Sequence, residues 1–173
     1  MRSLLPLAGL ALLGGCPPPA ENIIILDERF EEPIGARWSV SGVVEEVETY
    51  HPAEHGAQFA SATTMSIPIA LTIYDELSDG NWLEYSSSCG GTPEVWRQYI
   101  APQQYELHVA LPDEADATPA EFERVHANLP PLPGTLGGDP ASAYNRLVIE
   151  VYRGGPCIID NLRVVQPEPE SGW

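Results

Sequence analysis

The sequence predicts an all-β fold, a sandwich of two packed sheets with one short helix, and three observations lead there. Beyond Ile23 the apolar residues fall in short runs with period two, the spacing at which strand side chains return to one face. Clusters of Gly, Pro, Asn and Asp separate the runs, as turns separate strands. The runs number about ten, which suits two sheets packed face to face.

Residues 1–15 precede the domain and have the layout of an export signal: Arg2, an apolar stretch from Leu4 to Leu13, then small residues up to Cys16. A run of about ten apolar residues is too short for a hydrocarbon core, which takes roughly 20 in a helix. Leu13, Gly14, Gly15 and Cys16 resemble the lipobox of bacterial lipoproteins. That resemblance implies cleavage before Cys16 and acylation of its thiol, with at least two chains, enough for stable anchoring. In the lipoprotein family an Asp after the cysteine favours retention in the inner membrane. Pro17 stands there instead, which points to the outer membrane or the cell surface. Residues 16–21, with Pro17 to Pro19, read as a short stiff tether. The domain is expected over 22–166, and 167–173 as a frayed tail.

Within the domain, strands are expected at 22–26, 37–40, 43–50, 57–62, 65–74, 82–87, 95–100, 105–111, 144–153 and 157–165. The run 144–153 is the clearest: Leu147, Ile149 and Val151 share one face, and Arg146, Glu150 and Tyr152 the other, wet one. Gly154, Gly155 and Pro156 then predict a turn into the last strand, closing a carboxy-terminal hairpin. In that strand Ile158, Leu162 and Val164 alternate with Ile159 and Arg163. The helix is expected from Thr118, where an N-cap, Pro119 and the capping-box Glu121 precede Phe122, Val125 and Leu129. The segment 129–140, with four prolines and three glycines, reads as a surface loop.

Cleavage leaves 158 of the 173 residues, enough for one domain with one core. All eight basic residues are arginine, against 25 acidic ones. The net charge is −17, and losing Arg2 makes it −18, which argues against a nucleic-acid partner because phosphate binding needs a basic surface. With Cys16 acylated, Cys89 and Cys157 remain, and export favours a disulfide between them. The separation of 68 residues makes such a bridge worth about 3 to 5 kcal/mol in the chain-entropy picture.

The segments ILDERFEEPIGARWSVSG, HPAEHGAQF and IIDNLRVV together resemble the galactose-binding-like jelly roll of carbohydrate-binding modules related to the cellulose-binding CenC type. The family's Phe-Glu pair after the first strand falls on Phe30 and Glu31, its core Trp on Trp38, and the Asp at the start of its last strand on Asp160. The resemblance implies a jelly-roll sandwich, affinity for carbohydrate, and a structural Ca²⁺ held by Glu31 and Asp160. Between Leu71 and Asp139 the chain departs from the family pattern.

His51, Glu54 and His55 spell H-x-x-E-H, a zinc-hydrolase pattern that needs both histidines on one helical face. Pro52 and Gly56 bracket it between strand-like runs, so a loop is expected, ending at Gly56, and no catalytic residue is assigned. Sugars stack their apolar faces on aromatic rings, and the candidates for this are Trp82, Tyr85, Trp96 and Tyr99. The odd spacing within each pair sends its rings to opposite faces. At least half of them are therefore expected in the core, and no continuous platform is implied. The expected function is a lipid-anchored, non-enzymatic binding domain of the cell envelope, with a glycan as ligand. The alternatives are a structural role with an envelope protein as partner and, behind it, zinc hydrolysis at HPAEH.

Overall fold

The structure, a computed structural model, describes residues 22–49, 54–72, 80–112, 122–132, 143–153 and 156–167. The elements are β1 Ile23–Glu28, α1 Ile34–Arg37, β2 Ser39–Ser41, β3 Val44–Glu48, β4 His55–Phe59, β5 Thr63–Thr72, β6 Trp82–Ser87, β7 Glu94–Ala101, β8 Gln104–Ala110, β9 Glu123–Asn128, β10 Ala143–Val151 and β11 Cys157–Gln166. They form the expected two-sheet sandwich, open at its edges. The first sheet has six strands, in the order β3-β4-β11-β6-β9 with β1 also on β11. β4 pairs with Cys157–Ile159 and β1 with Leu162–Gln166, so the two lie end to end along one flank of β11, opposite β6. The second sheet runs β2-β5-β10-β8-β7, antiparallel except for the parallel pair β8 and β10.

The core lies between the inner faces. The first sheet contributes Ala57, Phe59, Leu83, Tyr85, Ile159, Leu162 and Val164, and the second Met65, Ile67, Leu107, Val109, Tyr144, Leu147, Ile149 and Val151. Each large apolar side chain removed from water stabilises the fold by about 1.5 to 3 kcal/mol. β11 reaches this core in two registers. Cys157 and Ile159 point inward, then the ladder to β6 shifts between Asp160 and Arg163 where Asn161 has φ of 52°. One inserted residue reverses the alternation, so Leu162 and Val164 become the inward pair, and Ile158, expected to share their face, is only half-buried while Ile159 is buried in its place.

Four expectations are corrected here. β10 and β11 belong to different sheets, so the carboxy-terminal pair is a crossover and not a hairpin; alternation tells which face is apolar but not which strand lies alongside. Residues 123–128 are a strand, paired along its whole length with β6, although Phe122, Val125 and Leu129 fit helical spacing. The ladder offered by β6 overrides that local preference, and the cap at 118–121 lies outside the described residues. The short helix sits instead at Ile34–Arg37, after Pro33, and displaces the start of the strand expected at 37–40. Of the expected surface loop, Leu129 and Leu132 are buried, and the Pro130 and Pro131 carbonyls accept hydrogen bonds from Tyr144 Oη and Arg97 Nη1.

The amino-terminal corner is organised by Glu28. Its carboxylate, 6% exposed, accepts from the indole Nε1 of Trp38 at 2.9 Å and from the backbone N–H of Phe30 at 3.0 Å, and pairs with Arg37 at 3.0 Å. Phe30 turns the chain through φ of 54° and sets its ring 6.2 Å from that of Trp38. Both aromatics are buried in the core; the family resemblance places Trp38 there and makes no such placement of Phe30.

Candidate ligand-binding face

Tyr85 points into the core, 2% exposed, and among the described residues its hydroxyl has no hydrogen-bond partner. Burial raises its pKa above the ordinary tyrosine value. Trp82, three residues away on β6, is half-buried on the outer face of the first sheet. Trp96 is half-buried on the outer face of the second sheet, so the two tryptophans lie on opposite sides of the molecule. Tyr99, far along edge strand β7, is 60% exposed and meets Tyr105 edge-on at 5.6 Å. Only Tyr85 of the four is core, fewer than the alternation predicts, because the half-buried tryptophans are on outer faces and Tyr99 lies where solvent reaches the sheet.

Register defines the outer face of the first sheet. Ile24, Val165, Trp82 and Asn128 form one row across β1, β11, β6 and β9. Asp27, Arg163, Glu84 and His126 form the next, and Ser86 and Arg124 the third. The Trp82 and His126 rings stack, with centroids 5.7 Å apart and planes at 29°. Arg124 bonds Glu84 at 2.8 Å, and Arg163 reaches Asp27 at 3.1 Å and Glu84 at 3.6 Å. Those two carboxylates raise the pKa of Arg163 and hold it charged, Asp27 by hydrogen bond first.

Two open depressions adjoin on this face. One, of about 400 Å³, is lined by Gly80, Trp82, His126 and Asn128. The other, of about 260 Å³, is lined by Glu84, Tyr85, Ser86, Arg124, Asn161 and Arg163. Two arginines and two carboxylates cancel here, within a chain of net charge −17. A guanidinium beside a carboxylate offers donors and an acceptor together, the pattern that neighbouring hydroxyls can satisfy, and Trp82 supplies an aromatic face next to it. Of these residues the sequence singled out Trp82 and Tyr85, and the Tyr85 ring points into the core. Arg124, His126 and Asn128 were missed because their segment has helical spacing, and Arg163, expected on the face opposite Leu162 and Val164, because its neighbours Asp27 and Glu84 are set only by the pairing of β11 with β1 and β6.

On the opposite sheet the His108 ring lies between two carboxylates, with Nδ1 3.3 Å from Glu150 and Nε2 3.2 Å from Glu106. Trp96 stacks on the imidazole, centroids 5.2 Å apart. Glu150, expected on a wet face, is 9% exposed, because parallel β8 and β10 bring His108 alongside it. The nearness of Glu106 to His108 was visible as an i, i+2 pair; Glu150 was not.

Asp160 lies within β11, at the bulge, and accepts from the Asn161 N–H at 2.6 Å. Burial raises its pKa first, and the charges of Glu54 and Glu31 push the same way. Glu31 itself is exposed and turns toward His55, 3.6 Å away. Three carboxylates thus share one corner electrostatically, but among the described residues no three of His, Cys, Asp or Glu stand close enough to form a ready metal cage. His55 opens strand β4 and Gly56 lies inside it rather than ending a loop, while His51 lies outside the described residues. A Cβ on Gly56 would stand 2.9 Å from the Ile159 carbonyl oxygen, which is why the strand keeps glycine there.

Cys89 and Cys157 form the expected disulfide, with Cα atoms 5.0 Å apart. It continues the β6 to β11 ladder past Ser87, together with bonds from the Ser88 N–H to the Ile158 carbonyl and from the Ile158 N–H to Ser88 Oγ. The acylation motif at Cys16, the tether and the tail from 168 onward lie outside the described residues. No helix among the described residues is long and apolar enough to cross a membrane. No protein-family model, curated protein or solved structure matches the chain.

Proposed function

We propose that this protein is an envelope lipoprotein, acylated at Cys16, whose sandwich binds carbohydrate without catalysis on the outer face of its first sheet. The observation that carries this reading is the stacked Trp82 and His126 pair, which lines one depression on the same face as a second depression lined by Glu84, Arg124, Asn161 and Arg163. A sugar ring covers the indole with its apolar face, while its hydroxyls meet the carboxylate, guanidinium and amide groups beside it. The test is a glycan-array screen of the full-length, detergent-solubilised protein with the disulfide oxidised and calcium present. Binding lost in Trp82→Ala and kept in Trp96→Ala is the expected result. A blank array, or binding indifferent to Trp82, sinks the reading.

Calcium belongs to this proposal at the Asp160 corner, where Glu31 and Glu54 supply the hard oxygen chemistry the ion takes; Glu31 would have to leave His55 to join it. Pro17 after the cysteine favours the outer membrane or cell surface, and Cys16→Ser should abolish partitioning into the membrane fraction. The reading with an envelope protein as partner is favoured by one observation. β7 is an edge strand eight residues long, with Tyr99 and Ile100 60% and 41% exposed, the form of edge to which a partner strand adds.

A further inference from the structure

The sugar-binding face is tied in space to the membrane anchor. β1 begins at Ile23, opposite Gln166, and the next pairing along β11 sets Ile24 in the row that holds Val165, Trp82 and Asn128. The chain therefore enters the sandwich at the Trp82 end of this face. Only six peptide units separate Cys16 from Asn22, and fully extended they reach about 20 Å. An acylated Cys16 holds this end no farther than that from the lipid surface.

The same end has the surface chemistry of a membrane interface. Ile23 and Ile24 are 45% and 53% exposed. Val165 is buried yet lies apart from the main core, on the outer face, and Trp82, half-buried, stands beside it in the same row. The charges in the rows behind it cancel, Arg124 and Arg163 against Glu84 and Asp27, so this part of the face of an acidic protein carries little field of its own. Moving away from the anchor, the order is aliphatic residues with Trp82, then His126 and Glu84, then Arg124 and Ser86.

We infer that the ligand is a neutral glycolipid of the anchoring membrane itself, its head group rising from the bilayer past Trp82 into the Glu84 and Arg124 depression. The inference rests on the carbohydrate reading and on acylation at Cys16. Four residues of strand separate Trp82 from Ser86, about 13 Å, a length that a head group of two hexoses covers. Anchoring protein and ligand in one bilayer makes binding effectively intramolecular, which strengthens a weak site by about 10² to 10⁴ without a new contact.

The test places the full acylated chain in phosphatidylcholine vesicles with and without a neutral dihexosyl diacylglycerol, together with a phosphatidylcholine carrying a nitroxide at its head group. Subtracting the emission of Trp82→Phe isolates Trp82. Loss of most Trp82 emission only when the glycolipid is present, and its recovery on adding free dihexose, is the expected result. Binding of free dihexose through Trp82 with no quenching in glycolipid vesicles overturns this inference and leaves the carbohydrate reading standing. Equal quenching in plain phosphatidylcholine makes the face a lipid-docking surface and overturns both. Absence of both quenching and dihexose binding also overturns the inference.

Discussion

Replacing Glu28 with Ala removes the acceptor for two buried donors and one partner of an ion pair. Trp38, 4% exposed, loses the partner of its indole Nε1–H, and Phe30, 1% exposed, that of its backbone N–H. Each orphaned buried donor costs about 1 to 3 kcal/mol. The lost pair with Arg37 adds little, because the arginine side chain is 43% exposed and screened by water. The sum is about 2 to 6 kcal/mol, a large part of the ~5 to 15 kcal/mol that holds a domain together, and should lower Tm by roughly 10 °C. Urea denaturation followed by tryptophan fluorescence, comparing wild type, Glu28→Gln and Glu28→Ala, measures it. Glu28→Gln, which keeps an acceptor of the same shape, should lose markedly less. A loss below about 1 kcal/mol for Glu28→Ala at an unchanged m value would refute the argument that this carboxylate organises the corner.

Two further outcomes follow from the first sheet. Breaking the bridge with Cys89→Ser and Cys157→Ser together frees a span of 68 residues and should cost about 4 kcal/mol; an unchanged denaturation midpoint under oxidising conditions would count against a bridge that stabilises the fold. Asp160, whose pKa is raised by burial and by Glu54 and Glu31, binds its proton more tightly folded than unfolded. Its contribution is therefore neutral below the unfolded carboxylate pKa and becomes a cost as pH rises through the raised folded value. In chelator, Asp160→Asn should flatten that fall in stability on the acid side of neutrality and be at least as stable as wild type at pH 7. Calcium should then raise the wild-type midpoint and leave that of Asp160→Asn unmoved; no rise in wild type removes the metal from the proposal.

Much of the local structure was legible in the chain. The run at 82–87 matches its strand at both ends, and 144–153 and 157–165 lie within two residues of theirs, because period-two burial is written residue by residue. Cys89 and Cys157 were legible as a pair for a different reason: they are the two cysteines left beyond Cys16, which the amino-terminal motif sets aside for acylation. The helix expected from Thr118 failed over 123–128 because a spacing of three and four residues suits either a helix or an edge strand with few apolar contacts, and only β6 alongside decides between them. The candidate face failed with it: Arg124, His126 and Asn128 are neighbours of Glu84 and Trp82 only in the register of β6 with β9.

By itself the sequence determined the fold class, the apolar face of β10 that carries Leu147, Ile149 and Val151, the disulfide pair and the burial of Trp38. Tertiary structure alone decided that β10 and β11 part into different sheets, that the bulge at Asn161 turns Ile159 inward in place of Ile158 and sets Arg163 beside Glu84, and that parallel β8 and β10 bury Glu150 against His108. The physical reason is the range of the forces involved. Alternation and turn chemistry act between residues a few positions apart, whereas strand neighbours and registers are chosen by the joint packing of side chains far apart in the chain, and a one-residue shift reverses the face of everything after it.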